Sequence, residues 1–181
     1  MKKMNRREFL ALTGAAVVAL SLAGCDDAPP APPAPPAPPT PTTPKEAKVL
    51  EALNLYRKKA GVKEPLVLDD GLDSTMEIVV KLAKGEMPFD EKAAEALGKA
   101  STYYNGLCAP IGVRTDNDGT HVTPVCVYSD NAELMAQNLD NQLDESAKAN
   151  LKSSAIKLVN IQTFELSGTT YWVALIAESK K

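Results

Sequence analysis

Two serine motifs have spacings suited to acyl transfer. Ser154-Ala155-Ile156-Lys157 matches SxxK, and Ser129-Asp130-Asn131 matches SDN. That chemistry needs serine and lysine one helical turn apart, with a second serine reaching in from another element. Here the order is reversed and no Lys-Thr-Gly strand follows. Residues from 156 onward also read as strand, which would point Ser154 and Lys157 to opposite faces. The SDN triplet is therefore read as a helix cap. Asp116-Asn117-Asp118-Gly119 offers oxygens to a calcium ion, but the later glycine and terminal glutamate of an EF-hand loop are missing. Turn chemistry accounts for all four residues. The single histidine, His121, follows that turn and is read as a solvated strand residue; one histidine cannot build a conventional catalytic zinc site. No catalytic residue, metal site or cofactor is expected.

The elements that would position these residues can be read from 45–181. Val49, Leu53, Tyr56 and Ala60 share one face of a helix over 46–60, closed by Gly61. Leu72, Met76, Val79, Val80 and Ala83 stripe a second helix over 72–84. A third runs over 90–97, with Asp90 as its N-cap and Gly98 as its stop. A fourth begins after Asp130 and presents Met135, Leu139 and Leu143. Strands 111–115 and 120–128 flank the turn at 116–119 as one hairpin. Strands 156–166 and 170–178 flank Ser167-Gly168 as a second. The mixture argues an α+β fold. The aromatic residues Tyr103, Tyr104, Tyr171 and Trp172 are read mainly as core.

Cys108 and Cys126 are expected to form a disulfide. In the predicted register of the first hairpin, Cys108 faces Cys126 and Pro110 faces Pro124, two residues apart on one ladder. A bridge closing such a loop would stabilise by about 3 kcal/mol.

The N-terminus reads as an address. Lys2, Lys3, Arg6 and Arg7 precede an apolar run over 9–23, too short for a permanent membrane span. Arg6, Arg7, Phe9 and Leu10 match the twin-arginine export motif. Leu22-Ala23-Gly24-Cys25 has the lipobox pattern, in which Cys25 is joined to diacylglycerol and becomes the first mature residue. Residues 1–24 are thus the export signal. Residues 25–44 are a lipidated cysteine and a stalk holding ten of the 14 prolines. Extended as polyproline II, the stalk reaches roughly 50 Å. Asp26 and Asp27 hint at retention on the inner membrane. The chain carries -3 overall; removing the signal's net +3 leaves -6, which speaks against nucleic-acid binding. The expected place is the extracytoplasmic face of the cell membrane, as a monomer held through Cys25.

Asn54-Leu55-Tyr56-Arg57-Lys58-Lys59-Ala60-Gly61, then Pro65-Leu66-Val67-Leu68-Asp69 and Leu72, resemble the opening of the CAP superfamily, also called SCP-like. Ala149-Asn150-Leu151 and Gly168-Thr169-Thr170-Tyr171-Trp172-Val173 resemble its later elements. The resemblance implies an α-β-α sandwich with a central, mostly antiparallel sheet flanked by helices. It also places a cleft near Val79, Ala147, Lys148 and Trp172. The family's two histidines and two acidic residues have no counterparts there: Val79 and Ala147-Lys148 stand where the histidines would be. The reading is a non-catalytic module for a lipid, small apolar ligand or envelope partner. A cofactor-bearing or hydrolytic envelope enzyme exported folded, and a structural cell-wall binder, are the alternatives.

Overall fold

The computed structural model describes residues 43–181, so the expected lipidation site Cys25, the expected export motif at Arg6, Arg7, Phe9 and Leu10, and most of the expected proline stalk lie outside the described residues. The first helix, α1 (Pro44–Lys59), starts one residue inside the expected stalk. Thr43 is its N-cap, accepting from the Glu46 N–H, and Pro44 opens the first turn, where no intrahelical N–H is needed. A two-residue strand, β1 (Val67–Leu68), leads through a 3-10 turn (Asp70–Leu72) into α2 (Asp73–Ala83). Then come α3 (Glu91–Ser101), β2 (Tyr104–Ile111), β3 (Val113–Thr115), β4 (Val122–Pro124), α4 (Ala132–Gln142), α5 (Glu145–Lys152), β5 (Leu158–Leu166) and β6 (Thr169–Lys180). Among the described residues, no helix is long and apolar enough to cross a membrane.

The fold is α+β. Four strands form one mixed sheet in the order β1-β5-β6-β2, with β1 parallel to β5 and the other pairs antiparallel. β3 and β4 form a separate two-stranded ribbon. Ser167 and Gly168 both take positive φ, 51° and 78°, as the tight turn between β5 and β6 requires. Alternate residues of β6 feed two cores. Trp172, Ala174 and Ile176 pack with Val49, Leu53 and Tyr56 of α1, Met135 and Leu139 of α4, and Leu151 of α5. Val173, Leu175 and Ala177 pack with Leu72, and with Met76, Val79 and Ala83 of α2. The period-2 strand matches the two stripes at helical spacing, and burial of both sets holds the sheet in place.

The expected disulfide is not formed: Cys108 and Cys126 are free thiols. The cause is the register. Cys108 lies opposite Ala177 on β6, and Pro110 opposite Leu175. Cys126 instead accepts a backbone hydrogen bond from Trp172 at 3.0 Å. Those anchors are five residues apart on β6, about 16 Å at strand spacing, while a disulfide tolerates Cα separations only to about 7 Å. Pro124 faces Val113. Gly112 makes the split between sheet and ribbon. Its φ is +87°, and a Cβ there would sit 2.9 Å from the Trp172 carbonyl oxygen. Joining β2 to the central sheet buries Tyr104 and Ile111, which a long exposed hairpin would not.

Candidate functional site

A polar knot lies beneath the 3-10 turn, where β1, β2, β5 and β6 converge. Its centre is Asp69, only 4% exposed. Its backbone N–H extends the parallel pairing by donating to the Val159 carbonyl at 2.9 Å. One carboxylate oxygen caps the turn, accepting from the Gly71 N–H at 3.0 Å, and meets Lys180 Nζ at 2.5 Å. The other accepts from the Tyr104 hydroxyl at 3.0 Å. Burial, and then the bond to Asp69, push the Tyr104 phenol well above its ordinary pKa. A Cβ on Gly71 would come within 2.7 Å of that hydroxyl, so the close approach needs glycine. Beside the knot, Asn160 donates to Asp73 Oδ1 at 2.7 Å and to the Asp69 carbonyl at 3.3 Å. Its own Oδ1 is buried without a partner. A carboxylate already taking three donors, next to a phenol held protonated, is a tie between chain segments and not a proton shuttle.

Arg57 forms the second buried polar centre, 1% exposed. Its guanidinium donates to the carbonyls of Leu151 (2.8 Å), Ser153 (3.1 Å), Ile156 (2.9 Å) and Glu64 (3.3 Å). The carbonyls of Leu151 and Ser153 lie at the C-terminal end of α5, where helices leave acceptors unpaired. Burial lowers the Arg57 pKa, against the pull of Glu64. Asn54, one turn earlier, accepts from the Leu66 N–H at 2.8 Å. Asn54, Arg57 and Asp69 thus pin the α1–β1 connection to the rest of the domain.

The four residues expected to line a cleft are not brought together. Val79, 2% exposed, packs on one face of the sheet. Trp172, fully buried, packs in the core on the other, with Ala147 at its margin. Lys148 pairs with Glu145 at 2.8 Å. The Trp172 indole nitrogen is buried with no partner. The sheet's thickness separates Val79 from the rest, so these positions do not form one cleft.

In the turn, Asp116, Asp118 and His121 hold their ligand atoms within 4.8 Å of one another, and all three are exposed. Asp116 accepts from the backbone N–H of Thr120 (2.9 Å) and His121 (3.0 Å), and His121 Nδ1 lies 3.0 Å from its other oxygen. The His121 N–H above all holds the Asp116 carboxyl down to about 2. Gly119 has the φ of +75° that closes the turn. The SDN triplet caps α4, one residue later than expected. Asn131 accepts from the Leu134 N–H at 3.0 Å, Ser129 Oγ from the Asn131 N–H at 3.2 Å, and Asp130 from the Tyr128 hydroxyl at 2.7 Å. In the SxxK stretch, Lys157 donates its backbone N–H to the Ala177 carbonyl as β5 begins.

Sequence reasoning missed the pairing of Tyr104 with Asp69 and the carbonyl clamp of Arg57. A polar residue in the stripe of α1 was the available signal for Arg57: it follows Tyr56 on a face otherwise apolar. Comparisons with family models, with curated proteins and with solved structures found no match.

Proposed function

We propose that the chain is an exported lipoprotein whose domain is a divergent CAP-like, α-β-α binding module without catalytic function. The anchor is the diacylglyceryl group on Cys25, the place is the extracytoplasmic face of the cell membrane, and the proline run is the spacer. The ligand is a lipid, a small apolar molecule or an envelope partner, bound by a monomer. The observation that carries this reading is the use made of the resembling residues. Asn54, Arg57 and Asp69 spend their polar atoms on backbone and on Tyr104 and Lys180. Val79, at the position of a family histidine, is closed inside an apolar core. Polar atoms tied up in holding the chain together, and an apolar side chain where the resemblance would put a histidine, support a binding module over an acid–base catalyst.

The test is purification of the chain from its own membrane in neutral detergent, followed by spectroscopy, metal analysis and extraction of bound small molecules. The reading expects no chromophore and no stoichiometric metal, together with an extractable apolar compound or a co-purifying envelope partner. A turnover abolished by Glu133→Gln, or a stoichiometric cofactor, would contradict it.

A further inference from the structure

Asn105 is the only asparagine in the sequence that a glycine follows. With no side chain beside it, a glycine nitrogen can reach the carboxamide carbon of the asparagine before it. A regular ladder hinders that approach by fixing both peptide units. At Asn105 the ladder is interrupted.

The interruption is a bulge in β2, an edge strand of the sheet. Asn105 pairs with Ser179 and Cys108 with Ala177, so Gly106 and Leu107 both stand opposite Glu178. Gly106 takes a φ of +64°, which suits glycine above other residues. The Glu178 carboxylate lies against Gly106 where a Cβ would stand. Asn105 and Gly106 are both exposed, so water reaches them. The Asn105 carboxamide also ties the chain. Its Nδ2 donates to the Lys180 carbonyl at 3.0 Å and to Ser179 Oγ at 3.4 Å. The Lys181 N–H donates to the Tyr103 carbonyl at 3.1 Å. Together with the Lys180–Asp69 pair, these bonds hold the last residues of β6.

We propose that Asn105 is a self-modification site whose chemistry loosens the end of β6. The Gly106 nitrogen attacks Cγ of Asn105. The new N–C bond closes a succinimide ring, the Gly106 amide proton goes to solvent, and the carboxamide nitrogen leaves as ammonia. Water then opens the ring at either carbonyl, giving aspartate or isoaspartate. Water is the only co-reactant, and nothing is oxidised or reduced. Either product puts a carboxylate where a donor stood, and a carboxylate cannot donate to the Lys180 carbonyl. Isoaspartate also adds a methylene to the backbone, which breaks the pairing of Tyr104 and Asn105 with Lys180 and Ser179. Residues 108–111 keep their partners on β6, so the loss stays at the strand's end.

The experiment is incubation of the folded full chain in mildly alkaline buffer made with heavy-oxygen water, followed by peptide mapping and hydrogen exchange. Asn105 is expected to convert ahead of the exposed Asn117, which Asp118 follows. It should lose ammonia, gain solvent oxygen and yield isoaspartate in excess. The aged chain should lose exchange protection over 179–181 and keep it over 174–177. Asn105→Gln, whose longer side chain closes a ring poorly, should stay unmodified and keep its protection. Gly106→Ala should convert several-fold more slowly. Its methyl meets Glu178 at the bulge, so circular dichroism checks its fold, and Asn105→Gln carries the test independently. An Asn105 that outlasts Asn117 would overturn the proposal. So would conversion with protection unchanged over 179–181, or equal loss of protection in aged Asn105→Gln.

Discussion

Replacing Arg57 by methionine should cost more stability than any surface change in the domain. The methionine fills the stem's volume and removes five donors. Two of the carbonyls it strands, those of Leu151 and Ile156, are buried; those of Ser153 and Glu64 are partly wet. A buried acceptor left unpaired costs about 1–3 kcal/mol, so the two buried ones alone cost about 2–6 kcal/mol. Removing a guanidinium that was itself costly to bury returns part of that. The expected net loss is about 3 kcal/mol, a large share of the 5–15 kcal/mol typical of a domain. Arg57→Lys keeps the charge but can serve fewer carbonyls, and should fall between. Equilibrium urea unfolding, followed by the fluorescence of Trp172, measures all three proteins. A loss below about 1 kcal/mol for Arg57→Met would refute the clamp, because such a value is ordinary for an exposed residue.

Unfolding the chain in denaturant without reductant should expose Cys108 and Cys126 as free thiols, as counted by alkylation and mass spectrometry. In the folded state Cys108 should react first, since burial pushes the Cys126 thiol up to about 12; a linked peptide pair would restore the disulfide. Gly112→Ala adds a methyl against the Trp172 carbonyl at a φ of +87° and should cost about 1–3 kcal/mol; an unchanged melting curve would show that the strand break does not depend on glycine. Burial, and then hydrogen bonds to Asp140 and Asp69, raise the Tyr56 and Tyr104 phenols. A raised acid favours the folded state while protonated, so that stability is full below about pH 10 and lost as pH rises further. Ultraviolet titration should therefore show these phenols ionising only with unfolding, and the double phenylalanine variant should flatten the alkaline loss.

The periodic elements were legible because one physical rule governed each. The stripes of α1, α2 and α4 read correctly from their spacing except at Ala60, which is exposed at the C-cap of α1, and Ser167-Gly168 read correctly as a tight turn. Three features were not legible. Gly98 was expected to stop its helix, yet α3 runs on to Ser101; a glycine costs about 1 kcal/mol in a helix, and no proline follows to enforce a stop. α5 is eight residues long with Leu151 as its buried residue, too little for a periodic signal. Tyr104–Ile111 carries Gly106 and Pro110, which weaken a strand pattern. A bulge and an edge position accommodate both. That strand left the predicted hairpin for β6, and the disulfide inferred from the hairpin's register went with it. Of the candidate site, neither buried polar centre was legible, because Asn54, Arg57 and Asp69 had been given no role. Asn54, Arg57 and Asp69 hold the scaffold, and the expected cleft residues fall on both sides of a sheet whose order no local pattern encodes.

The proposed tether is a diacylglyceryl group on Cys25. Mass spectrometry of the N-terminal peptide, taken from chain purified out of cells that export it, tests this most directly. Such a tether requires a mature chain that begins at Cys25, has lost residues 1–24 and carries a diacylglyceryl group on the sulfur. A chain that still begins at Met1, or an unmodified Cys25 in membrane-bound protein, would contradict it.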